Sequence, residues 1–226
     1  MNRHLLALGL ALSTVSISTV AFAAPVNLVQ NGSFEIFTPG SAAKPAASQY
    51  TQSFGGISGW TLGRNGLELR NNVAGTAQSG SVFAELDVSA NSSISQSINT
   101  IVGDAYTLGF YYSNRSYVSV ASNGLGWSLG SLSGLAPVLA YNATSDNDWH
   151  YYETSFVADS ATSLLSFFAT GTSDSYGSSL DNITLFHTST ARLVNNVPEP
   201  AGLALMLTAL LGMAWVGGRR RQQAQQ

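Results

Sequence analysis

Charged side chains are so scarce in this chain, at 9% of residues, that the places where they alternate onto one face carry the first chemical signal. Glu68 and Arg70 share a face of one period-two run, Glu85 and Asp87 share a face of another, and Arg115 follows a third. If neighbouring strands bring these runs together, the five charges line one sheet surface, with Asn71, Asn72, Tyr112 and Trp127 as expected neighbours. Carboxylates, guanidinium groups and amides hydrogen-bond sugar hydroxyls, while aromatic planes take the C–H faces of pyranose rings. Glu68, Arg70, Asn72, Glu85, Asp87, Arg115 and Trp127 are therefore the candidate glycan-binding set. The same pattern also fits a salt-bridge ladder that stiffens an exposed sheet face.

Other chemistries find less support. Glu68 and Glu85 could form the acid and nucleophile, or acid and base, of a glycoside hydrolase. Glu85-Leu86-Asp87 resembles the opening of the Glu-x-Asp-x-x-Glu signature of jelly-roll glycosidases, but Ala90 stands where its last Glu belongs. Gly126-Trp127-Ser128-Leu129-Gly130 spells Gly-x-Ser-x-Gly but falls inside the expected strand 125–130 rather than on a strand-to-helix elbow, and Gly124-Leu125-Gly126 runs into Trp127 rather than a phosphate loop. His150 and His187 lack a Glu-x-x-His or His-x-His companion, which argues against zinc. Zero Cys excludes a disulfide framework, a thiolate metal site and a cysteine nucleophile. The residues favour a noncatalytic protein. Trp60 and Trp149 are either sugar platforms or core anchors, and Tyr151 and Tyr152 point to opposite faces of one strand. Five Asn-x-Ser/Thr triplets, starting at Asn31, Asn91, Asn114, Asn142 and Asn182, are expected by chance in a chain rich in Ser, Thr and Asn.

Strands must position these groups. Val82, Ala84 and Leu86 alternate with Phe83, Glu85 and Asp87, and Tyr106, Leu108, Phe110 and Tyr112 alternate with Thr107, Gly109 and Tyr111. Similar runs at 26–30, 33–37, 67–71, 93–100, 125–130, 148–157, 163–170 and 180–187 predict about ten strands. No interior stretch carries a 3.6-residue stripe, so the fold class is all-β, an antiparallel β-sandwich or jelly roll. Residues 38–50, with Pro39 and Pro45, read as a long surface loop.

Both ends read as addresses. In residues 1–24, Arg3 and His4 precede an apolar run, and Ala21-Phe22-Ala23 offers a small-x-small cleavage pattern, so a signal peptide handled by the Sec export machinery and signal peptidase is expected. Residues 191–226 form the opposite end. Pro198-Glu199-Pro200 precedes an uncharged run at 201–218, long enough at about 27 Å to cross a thin bilayer, and Arg219-Arg220-Arg221 would hold its end in the cytoplasm. The interior, 25–190, is the folded body. Residues 25–197 carry five basic residues against eleven acids, a formal net charge of −6. That excludes nucleic acid as a partner, because such binding depends on Lys and Arg neutralising phosphates.

The tripeptide, hydrophobic helix and Arg-rich tail, in that order, resemble the PEP-CTERM signal of Gram-negative bacteria. The resemblance implies processing near Pro198-Glu199-Pro200 by the membrane protease exosortase, a transient tether in the inner membrane, and release to the cell surface or extracellular matrix. Members of that group commonly accompany exopolysaccharide production.

Asn27 to Glu35 near the start of the body, and Ser179-Leu180-Asp181-Asn182-Ile183 near its end, resemble the bracketing motifs of galactose-binding-like jelly rolls, which include many bacterial carbohydrate-binding modules. Ser93 to Ile98, Tyr106 to Phe110 and Leu164 to Phe167 fall between them in the expected order. By that resemblance Glu35 and Asp181 would hold a structural calcium ion; ordinary turn residues bonded to backbone are the alternative. A hard cation with six to eight oxygen ligands suits two carboxylates plus carbonyls. The expected function is extracellular polysaccharide binding, with a structural matrix or adhesion protein as the main alternative and a glycoside hydrolase as the third.

Overall fold

The computed structural model describes residues 25–38 and 43–188. The signal peptide with Ala21 and Ala23, the Pro198-Glu199-Pro200 motif, the apolar run and Arg219, Arg220 and Arg221 all lie outside the described residues. Among the described residues, no helix is long and apolar enough to cross a membrane.

Eleven strands form two antiparallel sheets. One sheet orders β1 (Gln49–Ser53), β3 (Leu67–Asn71), β4 (Val82–Glu85), β11 (Ser179–His187), β6 (Ala105–Ser113) and β9 (His150–Val157) side by side. The other orders β2 (Thr61–Leu62), β5 (Ser93–Asn99), β10 (Thr162–Ala169), β7 (Leu125–Leu129) and β8 (Leu132–Leu135). The described body is an all-β sandwich, as the period-two pattern predicts.

Alternation sets the core. Leu67 and Leu69 of β3, Ala84 of β4, Leu108 and Phe110 of β6, and Leu180 and Leu185 of β11 point inward and are fully buried. They meet Ile94, Leu129, Leu165 and Phe167 from the opposite sheet. Phe110 and Phe167 bridge the layers edge to face at 4.9 Å between ring centroids. A buried aromatic of this size contributes roughly 1.5 to 3 kcal/mol through burial alone. Trp60 joins this core as an anchor, with its indole N–H donating to the Asn31 carbonyl at 3.0 Å.

Several sequence expectations need correction. Residues 26–30 and 33–37 form only isolated bridges, Asn27 to Phe186 and Phe37 to Ile57. The reason is a turn in which Asn31 and Phe34 both take positive φ (54° and 56°), held by Asn31 side-chain bonds to Ile36 and Ser58. Two left-handed residues within four positions turn the chain out of a ladder here. The expected 38–50 loop gives way to β1 at Gln49, while β2 and β8 arise in segments where no strand was expected. β2 is two residues long, and β8 continues from β7 through a tight turn at Gly130, φ 57°.

Candidate functional site

Strand register delivers the charged residues to one face. Glu68 lies directly opposite Glu85, and Arg70 opposite Phe83, across the β3–β4 pair. Because Leu67, Leu69 and Ala84 fill the core, these side chains face outward. That face is nonetheless covered. The 72–81 and 142–149 loops are tied across it: Thr76 N–H donates to Asp146 Oδ1 at 2.6 Å, and Asn147 and Trp149 both donate to the Thr76 carbonyl at 3.0 Å. Trp149 sits edge-on over Phe83 at 5.8 Å.

Under this cover the charges form a chain. Arg70 Nη2 contacts Glu68 Oε2. Arg70 Nε lies 3.0 Å from Glu85 Oε2 but without hydrogen-bond alignment, and Arg115 Nη1 lies 2.9 Å from Glu85 Oε1. The Gly177 N–H adds a third contact to Glu85 at 3.0 Å. Burial pushes the Glu85 carboxyl up to about 7, against the pull of both guanidinium groups. Asp87 is also fully buried. It accepts the Asp174 N–H on Oδ2 at 3.2 Å, while Oδ1 finds no partner among the described residues, and burial raises its pKa.

The five charges therefore converge, as the alternation implied, but not as an open surface. Glu68, Arg70, Glu85 and Asp87 are out of reach of a sugar because loops close over them. Arg115 alone emerges, at the mouth of a cleft of about 550 Å³ lined also by Ala74, Tyr117, Ser119, Asp174 and Tyr176. The Tyr176 ring stacks 4.6 Å from the Arg115 guanidinium carbon, and Tyr176 and Tyr117 are 43% and 61% exposed. Asp174 takes a 2.7 Å hydrogen bond from the buried Ser122 hydroxyl, fixing one wall. A guanidinium with unspent donors, a carboxylate, hydroxyls and two ring faces in one cleft match the groups of a carbohydrate.

Two members of the expected set lie elsewhere. Trp127 is 2% exposed, points inward from β7 and packs on Tyr152 at 5.6 Å, so it is a core anchor rather than a platform. Its neighbours in phase, Leu125 and Leu129, share that inward face. Asn72 is exposed and braces the covering loop, accepting the Ala77 N–H on its side chain at 3.0 Å. Tyr117, Asp174 and Tyr176 escaped sequence reading because they sit in loops without periodicity. Among the histidines, His187 meets Asp104 at 2.8 Å and His150 meets Asp148 at 3.4 Å.

Glu35 and Asp181 reach the same segment from opposite sides. Glu35 Oε1 accepts the N–H groups of Ser81 and Val82 at 2.6 and 2.7 Å, and Lys44 sits on Oε2 at 2.5 Å. Asp181 Oδ2 accepts those of Gln78 and Ser79 at 2.8 and 2.9 Å. Asp181 has no ion-pair partner among the described residues, and burial pushes its carboxyl up to about 7. No group of three or more His, Cys, Asp or Glu able to hold a metal occurs among the described residues. All four carboxylate oxygens of the pair take N–H or ammonium donors, the Asn182 N–H on Asp181 Oδ1 at 2.7 Å included, so calcium would bind here only by displacing them in favour of oxygen ligands.

Comparison with known proteins fixes no family. No protein-family model matches it. Halomucin of Haloquadratum walsbyi is 29% identical over 206 residues, 86% of this chain; the chain spans 2% of that protein's length. The structure is similar to that of the carbohydrate-binding module TmCBM61 in complex with β-1,4-galactotriose, with TM-score 0.47 and 14% identity, covering 72% of this chain and 99% of the other. It is also similar to a family 16 carbohydrate-binding module, with TM-score 0.43 and 14% identity, covering 70% and 99% respectively.

Proposed function

We propose that this protein is an exported, noncatalytic cell-surface or extracellular-matrix protein that binds polysaccharide in the Arg115–Tyr176 cleft. The observation that carries the reading is Arg115 itself. One end of its guanidinium is pinned to buried Glu85 while its plane stacks on an exposed tyrosine at an open cleft. Preorganising a polar donor beside an aromatic face lowers the ordering cost of binding a hydroxylated ring.

The ends supply the location. The signal peptide directs export, and the PEP-CTERM pattern implies a transient membrane tether, exosortase processing and release outside a Gram-negative cell. Calcium at Glu35 and Asp181 belongs to the same reading, as a clamp that joins the start of the body to its last strand. The absence of catalysis is supported by the state of the two glutamates a hydrolase would need. Glu68 and Glu85 lie under loops and are committed to Arg70 and Arg115.

A glycan array probed with the full-length protein tests the proposal. Saturable binding that Arg115→Ala and Tyr176→Ala each weaken supports it. Accumulation in matrix fractions without saturable sugar binding would establish the structural alternative instead. New reducing ends released from a polysaccharide panel would establish the hydrolase.

A further inference from the structure

The outer face of the five-stranded sheet is chemically unlike the rest of the body. Not one charged residue occurs in β2, β5, β7, β8 or β10, although the opposite sheet carries Glu68, Arg70, Glu85, Glu153 and Asp181. Ile94 and Ile98, Leu165 and Phe167, and Trp127 and Leu129 point into the core, so the alternate residues of β5, β10 and β7 face outward.

Register aligns five of those outward residues in one row. Thr61 pairs with Ser95, Ser95 with Ser166, Ser166 with Ser128, and Ser128 with Ser133. The row crosses the whole sheet, one hydroxyl per strand, and none of the five residues is buried. Apolar groups border it. On one side Leu164, 51% exposed, pairs with Ser97. On the other, Phe168 pairs with Gly126, which pairs with Leu135, 65% exposed. The Phe168 ring lies down over Gly126, since a Cβ placed there would meet ring carbon Cε2 at 2.2 Å. A ring laid along the sheet presents its free face outward.

We infer that this face is a second carbohydrate-binding surface, separate from the Arg115 cleft, for neutral polysaccharide lying across the strands. Hydroxyls one strand apart, about 4.8 Å, repeat at close to the advance of one pyranose in an extended chain. Each serine hydroxyl both donates and accepts, as sugar hydroxyls do, so a polyhydroxylated chain replaces the water it displaces. Phe168, Leu164 and Leu135 meet the C–H faces of the rings. A charged glycan finds no counter-charge on the strands. A protein partner is disfavoured because interface cores are poor in serine. Many weak contacts along one chain add through avidity.

Pull-down of full-length protein on insoluble cellulose and insoluble β-1,3-glucan, with alginate as the charged control, tests the inference. Retention on at least one neutral glucan and not on alginate is expected. Ser166→Lys and Phe168→Ala should each lower that retention about tenfold at unchanged melting midpoint, while Ser166→Thr, which keeps the hydroxyl, should preserve it. Wild-type retention by Ser166→Lys overturns the inference, as does no retention of the wild type on either neutral glucan. A changed oligomeric state in Ser166→Lys with retention intact would assign the face to a second copy and overturns it too. Loss of all retention in Arg115→Ala alone would leave the cleft as the binding site and refute the face. Loss confined to the sheet variants, with array binding unaffected by Arg115→Ala and Tyr176→Ala, would refute the cleft and leave the face standing.

Discussion

Arg115 Nη1 lies 2.9 Å from Oε1 of Glu85, a carboxylate with no exposed surface, so the cationic arm of the cleft is anchored in the interior. The anchor couples stability to binding, because whatever disturbs Glu85 frees Arg115.

Arg70→Met removes the guanidinium that sits between two buried carboxylates, Glu68 and Glu85, and leaves both less compensated. Breaking a buried ion pair from one side typically costs about 3 to 5 kcal/mol. Urea denaturation should show a loss of that order, and glycan affinity of the remaining folded protein should fall together with it. A variant as stable as wild type would mean that the chain from Glu68 to Arg115 contributes little.

Stability should also depend on pH in an unusual direction. Glu85 and Asp181 have folded-state values raised to about 7, above the unfolded carboxylate range near 4. The folded protein then holds more protons than the unfolded chain between those values, so stability declines as pH rises from about 4 to about 7. Glu35 and Asp146, lowered by hydrogen bonds, act oppositely, and their contribution is lost only as pH falls below the usual carboxylate range. Thermal melts in calcium-free buffer should therefore peak on the acid side of neutrality, and Glu85→Gln should flatten the decline toward pH 7.

Calcium should raise the melting midpoint in the neutral range. At a hundredfold excess over its dissociation constant a ligand bound only by the folded state adds about 2.7 kcal/mol. Chelation should reverse the gain and Asp181→Asn should abolish it. A midpoint indifferent to calcium would leave Glu35 and Asp181 as braces of the 78–82 segment, held there by the four backbone N–H donors already in place.

Trp127→Ala separates packing from recognition. Loss of a buried tryptophan costs about 3 to 5 kcal/mol, and that loss should appear in denaturation. Sugar binding per folded molecule should stay at the wild-type level, in contrast to Tyr176→Ala, which should weaken binding with little effect on the melt. Equal damage to binding by both would place Trp127 in the site after all.

Much of the fold was legible because strand alternation is local. Phe83, Glu85 and Asp87 on one side, with Val82, Ala84 and Leu86 on the other, read directly from period two, and the structure keeps that division. The same rule applied to Leu125, Trp127 and Leu129 would have sent Trp127 inward. Composition drew it toward the sugar set instead. The turn at Asn31 to Phe34 was hidden because its apolar residues mimic a strand, while its conformation depends on Asn31 reaching Ser58 from 27 positions away.

The order of residues by itself determined a β body whose strands divide into apolar and polar faces. Which strands became neighbours, and what lies over them, was decided only in three dimensions. The 72–81 and 142–149 loops meet through contacts some seventy positions apart, such as Thr76 to Asp146, and no local pattern encodes such a meeting. Their closure, together with the 174–177 loop that lies on Glu85 and Asp87, turned an apparent row of surface charges into a buried chain and left a single arginine of that row, beside a loop tyrosine, facing the solvent.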